Sequence, residues 1–217
     1  MMKKYKAVLF DMDGTTLDSL QDLTDAVNNT MNHFGFSEHT REECASFLGN
    51  GARYLIEHAC PEGSDIDKVL EYYIPYYEKH CLDKTCPFDG MSELMDALKK
   101  DGFKLAIISN KPNGATKELA DRFFGDLLDY SVGESEKVKR KPSPDAVLDA
   151  INEFGLEKED CVYIGDTEVD INTAVNAGID CIAVTWGFRT PEQLVDSGAT
   201  VFAHDCGELY SLLTGQN

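Results

Sequence analysis

Two short acidic motifs, far apart in the chain, hold the residue types best suited to chemistry: Asp11 and Asp13 in FDMDGTTLDS, and Asp166 and Asp170 in GDTEVD. Each directly follows a short apolar run. A third run, KLAIIS, delivers Ser109 and Asn110, and Lys141 stands in KRKPSP just ahead of a helix start. If these runs are parallel strands, their carboxyl ends make the rim on which open α/β sheets bind ligands. Four carboxylates on one rim repel each other strongly at short range unless a cation sits among them. A hard divalent ion with oxygen ligands, Mg²⁺ above all, resolves that repulsion. A carboxylate beside such an ion can attack phosphorus to give an acyl phosphate. A second carboxyl two residues on can protonate the leaving oxygen and later deprotonate water. Taken singly, each feature has a plainer reading: DG as a turn, SN as a helix cap, a lone Lys as a solvated charge, GD as a strand end. All of them together, in this order at strand ends, favour the chemistry.

Positioning these residues requires a particular set of elements. Runs rich in Val, Ile and aromatics recur as YKAVLF ending at Phe10, KLAIIS ending at Ser109, CVYIG ending at Gly165, CIAVTW ending at Trp186 and TVFA ending at Ala203. They read as buried parallel strands. Helical patterns lie between them. Met91 to Lys100 sets Met91, Leu94, Met95 and Leu98 on one face, with Gly102 following; Ser143-Pro144 reads as an N-cap with proline at the first helical position, as does Thr190-Pro191, where Gln193 completes a capping box. The alternation indicates an α/β fold, a doubly wound parallel sheet. From Leu17 to Lys84 it breaks, leaving only helical patterns such as SLQDLTDAVNNTMNHF, ARYLIEHA and DKVLEYYIPYYEKH. We expect an inserted small α-helical domain over residues 17–84, with residues 1–16 and 85–217 forming the core and hinges near Asp18-Ser19 and Cys86–Gly90.

Composition sets outer bounds. At 217 residues the chain is one large domain or a domain with an insertion. Against 39 Asp and Glu stand 20 Lys and Arg, a net charge of −19, which disfavours a nucleic acid or an anionic membrane as partner. The lysines at positions 3 and 4 open the chain as a signal peptide does, but the apolar stretch stops at Asp11, and no run is long enough to span a bilayer. A cytoplasmic protein is expected, monomeric or homodimeric, acting on a small molecule. Seven scattered cysteines without a CxxC pair argue for reduced thiols rather than disulfides or zinc.

With these motifs quoted, the chain resembles the haloacid dehalogenase-like superfamily of aspartyl-phosphate hydrolases from Ala7 to about Leu209. DMDGTTLDS resembles the first motif of that family, Ser109 the second, Lys141 the third and GDTEVD the fourth, and the helical insert stands where the family places its smaller cap. The resemblance implies Asp11 as nucleophile and Asp13 as general acid and base. It implies a metal site of Asp11, Asp13, Asp166 and Asp170, with Asp166 a direct ligand and Asp170 an outer or additional one. Ser109 and Asn110 would hold phosphate through hydroxyl and backbone N–H, and Lys141 would be its fixed cation. Lys137, Lys139 and Arg140 in the same basic cluster read as solvated.

Branches of the superfamily can be weighed on single residues. Asp13 argues against a dehalogenase. The lack of any Lys between Ser19 and Asp67 argues against a Schiff-base phosphonate hydrolase, and the lack of a His from Leu17 to Val27 against a mutase. Phosphatase chemistry is left. FLGNGARYLIEHA resembles the cap loop of phosphoglycolate phosphatases, and WGFR followed by EQLVDSGAT is frequent in that group. On that resemblance Gly49-Asn50-Gly51 forms a turn facing the substrate, Gly51 approaches it closely, and Arg53 contacts a substrate carboxylate unless it is a surface charge on the following helix. Thr16 departs from the group's usual apolar residue. Sugar-phosphate phosphatase, pyrophosphatase and 5′-nucleotidase remain alternatives, as does a non-catalytic binding protein on the same scaffold. Tyr72, Tyr73, Tyr76 and Tyr77 read as the core of the cap, Trp186 as packing at a strand end, and the five histidines show no ligand-like grouping.

Overall fold

The computed structural model describes residues 5–215. In chain order the strands are β1 (Ala7–Phe10), β2 (Leu17–Asp18), β3 (Cys86–Pro87), β4 (Lys104–Pro112), β5 (Tyr130–Glu134), β6 (Cys161–Gly165), β7 (Asp180–Val184) and β8 (Phe202–Ala203). The helices are α1 (Leu20–Phe34), α2 (Arg41–Phe47), α3 (Gly51–Ala59), α4 (Ile66–His80), α5 (Met91–Lys100), α6 (Asn113–Phe123), α7 (Asp145–Phe154), α8 (Glu168–Ala177), α9 (Pro191–Asp196) and α10 (Cys206–Thr214). Six strands form one parallel sheet in the order β5-β4-β1-β6-β7-β8. Winding reverses beside β1, which is where such sheets open a ligand crevice.

Both faces of the sheet are covered, which is why its strands read as unbroken apolar runs. Val8 and Phe10 join one hydrophobic cluster with Leu105, Ile107, Val162 and Ile164. Ala7 and Leu9 join the opposite one, with Ala106, Ile108, Cys161 and Tyr163. Register then aligns the carboxyl ends: Phe10 sits opposite both Ile107 and Ile164, and the Asp11 N–H donates to the Ile164 carbonyl at 2.9 Å. Asp11, one residue on, and Ser109 and Asp166, two residues on, therefore emerge along one edge.

The insert is four helices, α1 to α4, held between β2 and β3. Those two strands pair antiparallel as a separate two-stranded ribbon, Leu17 with Pro87 and Asp18 with Cys86. Beside it the buried Asp22 carboxylate accepts from the backbone N–H of Lys84 and Thr85 at 2.9 and 2.8 Å and from the Thr85 hydroxyl at 2.8 Å, fastening the start of α1 to the returning chain.

Several elements differ from the sequence reading. Strand β5 was not expected: at the sheet edge, its sequence YSVGE buries only Gly133 fully, so no apolar run marks it. Helix α2 is seven residues with Cys44 alone buried, too polar to show a periodic face, although Thr40 and Glu43 form its capping box. Strand β7 ends at Val184 rather than Trp186, and α7 starts at Asp145, with Pro144 rather than Ser143 at its cap. Met91–Lys100 and the Thr190 capping box stand as read. The lysines at positions 3 and 4 lie outside the described residues. Among the described residues no helix is long and apolar enough to cross a membrane, and all seven cysteines are unpaired.

Candidate active site

The first βα turn brings Asp11 and Asp13 to the sheet edge. Gly14 makes the turn with φ of +83°, and a Cβ there would lie 2.4 Å from Asp166 Oδ2. Only glycine satisfies both demands, so DG here is a packing requirement of the acidic cluster as well as a turn signal. Asp166 is fully buried, accepting from the Thr15 hydroxyl at 2.9 Å and the Phe188 N–H at 2.7 Å. Asp170 is buried in the first turn of α8, where its Oδ2 accepts from the Asp166 and Thr167 N–H groups and the Thr167 hydroxyl.

Lys141 ties the cluster together. Its ammonium donates to Asp11 Oδ1 and Asp170 Oδ1, each at 2.7 Å, and to the Tyr163 hydroxyl at 3.1 Å. Burial alone would depress its pKa, but the Asp11 and Asp170 charges outweigh it and hold the ammonium well above the usual lysine range. For Asp11 the balance reverses. Burial pushes its pKa up to about 7, with Lys141 opposing and the Asp170 charge adding to the rise. Asp166 is raised well above the carboxylate range, by burial first and then by Asp170 and Asp11.

Asp11, Asp166 and Asp170 each place one carboxylate oxygen within 4.8 Å of the others. A buried, all-oxygen carboxylate donor set with its oxygens this close together fits a hard divalent cation. The Asp13 carboxylate is not one of this trio. Its Oδ1 instead accepts from the Ser19 hydroxyl and lies 2.9 Å from Lys111 Nζ, contacts that turn it toward the cavity beneath the cap.

That cavity has a volume of about 40 Å³, with Asp11, Asp13, Ser109 and Asn110 on the core side and Leu48, Gly51, Leu55 and Tyr73 on the cap side. It has room for only a few water-sized groups. Pairing of β4 with β5 is irregular between Ile108 and Pro112, and this bulged stretch carries Ser109, Asn110 and Lys111, as bulges beside active sites do to re-aim side chains. Ser109 Oγ accepts from the Lys111 N–H at 3.1 Å. The Asn110 carboxamide bridges core and cap, donating to the Gly49 carbonyl at 2.9 Å and the Lys141 carbonyl at 3.1 Å while accepting from the Lys141 N–H at 2.7 Å. Gly51, with φ of +81°, is pressed so closely on the core that a Cβ would lie 2.6 Å from Glu134 Oε2.

Arg53 does not join the site. Helical phase puts Ala52 and Leu55 on the cavity face and turns Arg53 outward, where it pairs with Asp67 and sits 3.8 Å from Glu57. Arg140 is not simply solvated, since it donates to the cap's Asn50 carbonyl at 2.8 Å. Sequence reasoning missed Lys111 and the cavity-facing side of Tyr73 and Tyr77; a lysine directly after Ser109-Asn110 was the available signal. It also missed the use of Arg189, which pairs with Glu168 at 2.8 Å and reaches across to the Ala45 and Leu48 carbonyls of the cap at 3.2 and 2.9 Å.

The molecule is thus a doubly wound parallel sheet with clustered aspartates at its carboxyl edge, under a helical cap. Residues 8–184 match the profile of the haloacid dehalogenase-like hydrolases. The chain is 32% identical over 188 residues to a phosphoglycolate phosphatase of Aquifex aeolicus, covering 84% of this chain and 86% of that protein. It is 30% identical over 207 residues to the phosphoglycolate phosphatase of Colwellia psychrerythraea, covering 91% and 92%. A crystal structure of a candidate phosphoglycolate phosphatase from Lactobacillus delbrueckii subsp. bulgaricus superposes with a TM-score of 0.91 at 39% identity, covering 98% of this chain and 99% of that one. The chain belongs to the haloacid dehalogenase-like hydrolase family.

Proposed function

We propose that this protein is a Mg²⁺-dependent phosphatase of a small phosphorylated metabolite, with 2-phosphoglycolate the foremost substrate. The observation that carries the reading is the double position of Asp11, which belongs to the buried carboxylate trio and also lines the cavity beside Ser109. Two of the relatives above are named phosphoglycolate phosphatases.

In this reading Asp11 is the nucleophile. Its carboxylate oxygen forms a bond to phosphorus as the ester P–O bond breaks, and Asp13 gives its proton to the departing oxygen. Asp13 then takes a proton from water, and the resulting hydroxide attacks the phosphorus of the aspartyl phosphate, releasing inorganic phosphate and restoring Asp11. Ser109 Oγ and the Asn110 N–H hold the phosphate oxygens. Lys141 fixes the orientation of Asp11 through their 2.7 Å contact and contributes positive charge. Asp11 and Asp166 would ligate Mg²⁺, with Asp170 behind them, because both Asp170 oxygens are already engaged by Lys141 and by the start of α8. When bound, the cation neutralises charge that builds on the transferring phosphoryl group. The cap closes over the substrate and limits water. Unpaired thiols throughout support a reducing cytoplasm as its location.

Hydrolysis of p-nitrophenyl phosphate with and without Mg²⁺, followed by a panel of 2-phosphoglycolate, sugar phosphates, pyrophosphate and nucleotides, tests the proposal. Mg²⁺-dependent turnover with preference for 2-phosphoglycolate is the expected result. Absence of turnover under every condition would leave a binding protein on this scaffold.

A further inference from the structure

Among the described residues lining the cavity there is one cation, Lys111, and the mechanism above does not use it. Its side chain is only 1% exposed, and its ammonium lies 2.9 Å from Asp13 Oδ1. It also donates to the Tyr77 hydroxyl and stands 4.3 Å from the centre of that ring. An ammonium has three N–H donors, and these contacts account for two. The third, together with the Tyr77 O–H, meets no acceptor among the described residues. Lys141, the other buried ammonium, is occupied by Asp11 and Asp170 and does not line the cavity. Arg53 faces outward.

Charge bookkeeping sharpens the point. Lys141 is committed to Asp11 and Asp170, and Lys111 is the buried ammonium that faces the cavity. A substrate that brought a second negative group besides its phosphate would find apolar walls at Leu48 and Leu55, which solvate an anion poorly. Lys111 is the charged donor that remains, with the Tyr77 hydroxyl beside it; the Tyr73 hydroxyl also lines the cavity but carries no charge.

We infer that Lys111, assisted by the Tyr77 hydroxyl, is the specificity-determining residue for phosphate esters bearing a carboxylate a few bonds from the ester oxygen, and that it binds that carboxylate. The inference rests on the phosphatase reading and deepens it by assigning the recognition to the core strand instead of Arg53.

The Asp11→Asn protein, loaded with Mg²⁺, provides a form in which ester binding is measured by calorimetry without turnover. It should bind 2-phosphoglycolate more tightly than ethyl phosphate, which lacks the carboxylate. Adding Lys111→Met should weaken 2-phosphoglycolate roughly 10- to 100-fold more than ethyl phosphate, the range of one lost hydrogen bond to a charged group. Equal weakening of both esters would overturn the inference and leave Lys111 a positioning residue for Asp13. Equal affinity for the two esters before Lys111 is changed, or no binding of 2-phosphoglycolate, would overturn it as well. Should Lys111→Met fail to fold, Tyr77→Phe keeps the ring over the ammonium and must lower the same affinity ratio severalfold; an unchanged ratio counts against the assignment. Failure of the phosphatase reading shows separately, as absence of p-nitrophenyl phosphate turnover by the unaltered protein.

Discussion

The Lys141 ammonium sits 2.7 Å from the Asp11 carboxylate, with side-chain exposures of 3% and 8%. Removing one member of such a pair ordinarily strands the other, but here Asp170 holds the same ammonium at the same distance. Asp11 is thus dispensable for charge balance and indispensable for the proposed chemistry. Asp11→Asn should lower turnover of p-nitrophenyl phosphate by roughly 10³-fold or more, while the melting temperature in chelator holds or rises because a carboxylate that resists ionisation has been removed. Near-normal turnover in this variant would exclude Asp11 as nucleophile.

Chelation should stop turnover and Mg²⁺ restore it, with Ca²⁺ restoring it poorly because its larger, looser coordination misplaces nucleophile and phosphate. Asp166 and Asp170 should separate under alanine substitution. Asp166→Ala should chiefly weaken Mg²⁺ affinity in calorimetry, whereas Asp170→Ala, which removes the acceptor from the donors at the start of α8 and from Lys141, should cost about 2–4 kcal/mol in denaturant unfolding. The reverse ordering would exchange their assigned roles.

Arg189 reaches from the loop after β7 to two carbonyls at the end of α2 and the turn that follows. Arg189→Ala should loosen the cap without unfolding the sheet, since the cap gives up its bonds to Arg189 while the core clusters are untouched. Amide exchange in α2 and α3 should quicken, by about tenfold or more, with β1 and β6 unchanged. Uniform acceleration across the whole chain would show that Arg189 supports the fold rather than the closure.

Asp129 gives the fold an acid-sensitive contact. Burial raises its pKa, but the ammonium groups of Lys104 and Lys99 and the Leu105 N–H outweigh that and hold it below the usual carboxylate range. A lowered native pKa means stability present above the unfolded pKa of about 3.9 and lost as pH falls through the native one. Asp129→Asn should therefore destabilise the protein by about 1–3 kcal/mol at pH 7, and the gap to the parent should narrow below about pH 4. Denaturant titrations at stepped pH measure this, and a gap independent of pH would rule the carboxylate charge out.

The sheet was legible because its central strands are buried on both faces, and their apolar runs end at the residues that carry charge: Phe10 before Asp11, Gly165 before Asp166. What escaped depended on geometry with no one-dimensional trace. Strand β5 hides because an edge position needs little apolar surface. Lys111 follows Ser109 and Asn110 in plain view, yet only the irregular pairing of β4 and the closeness of Tyr77 turn it into a cavity residue. Arg53 shows the converse, a well-placed charge type that helical phase directs away from the cavity.

Leu17 and Asp18 leave the core on one strand of the small ribbon, and Pro87 and Cys86 return on the other. Because the two ends of the insert are neighbours, the segment between them imposes no span on the sheet, and the entropy of closing it grows only with the logarithm of its length. Strands β1 and β4 pair in register from Ala7 opposite Lys104 to Phe10 opposite Ile107, with no residue of the insert between them. The helical segment is in this sense interchangeable: a lineage can lengthen it, reshape it or trade it for another, altering which molecules reach the aspartates, while the sheet that aligns them is inherited intact.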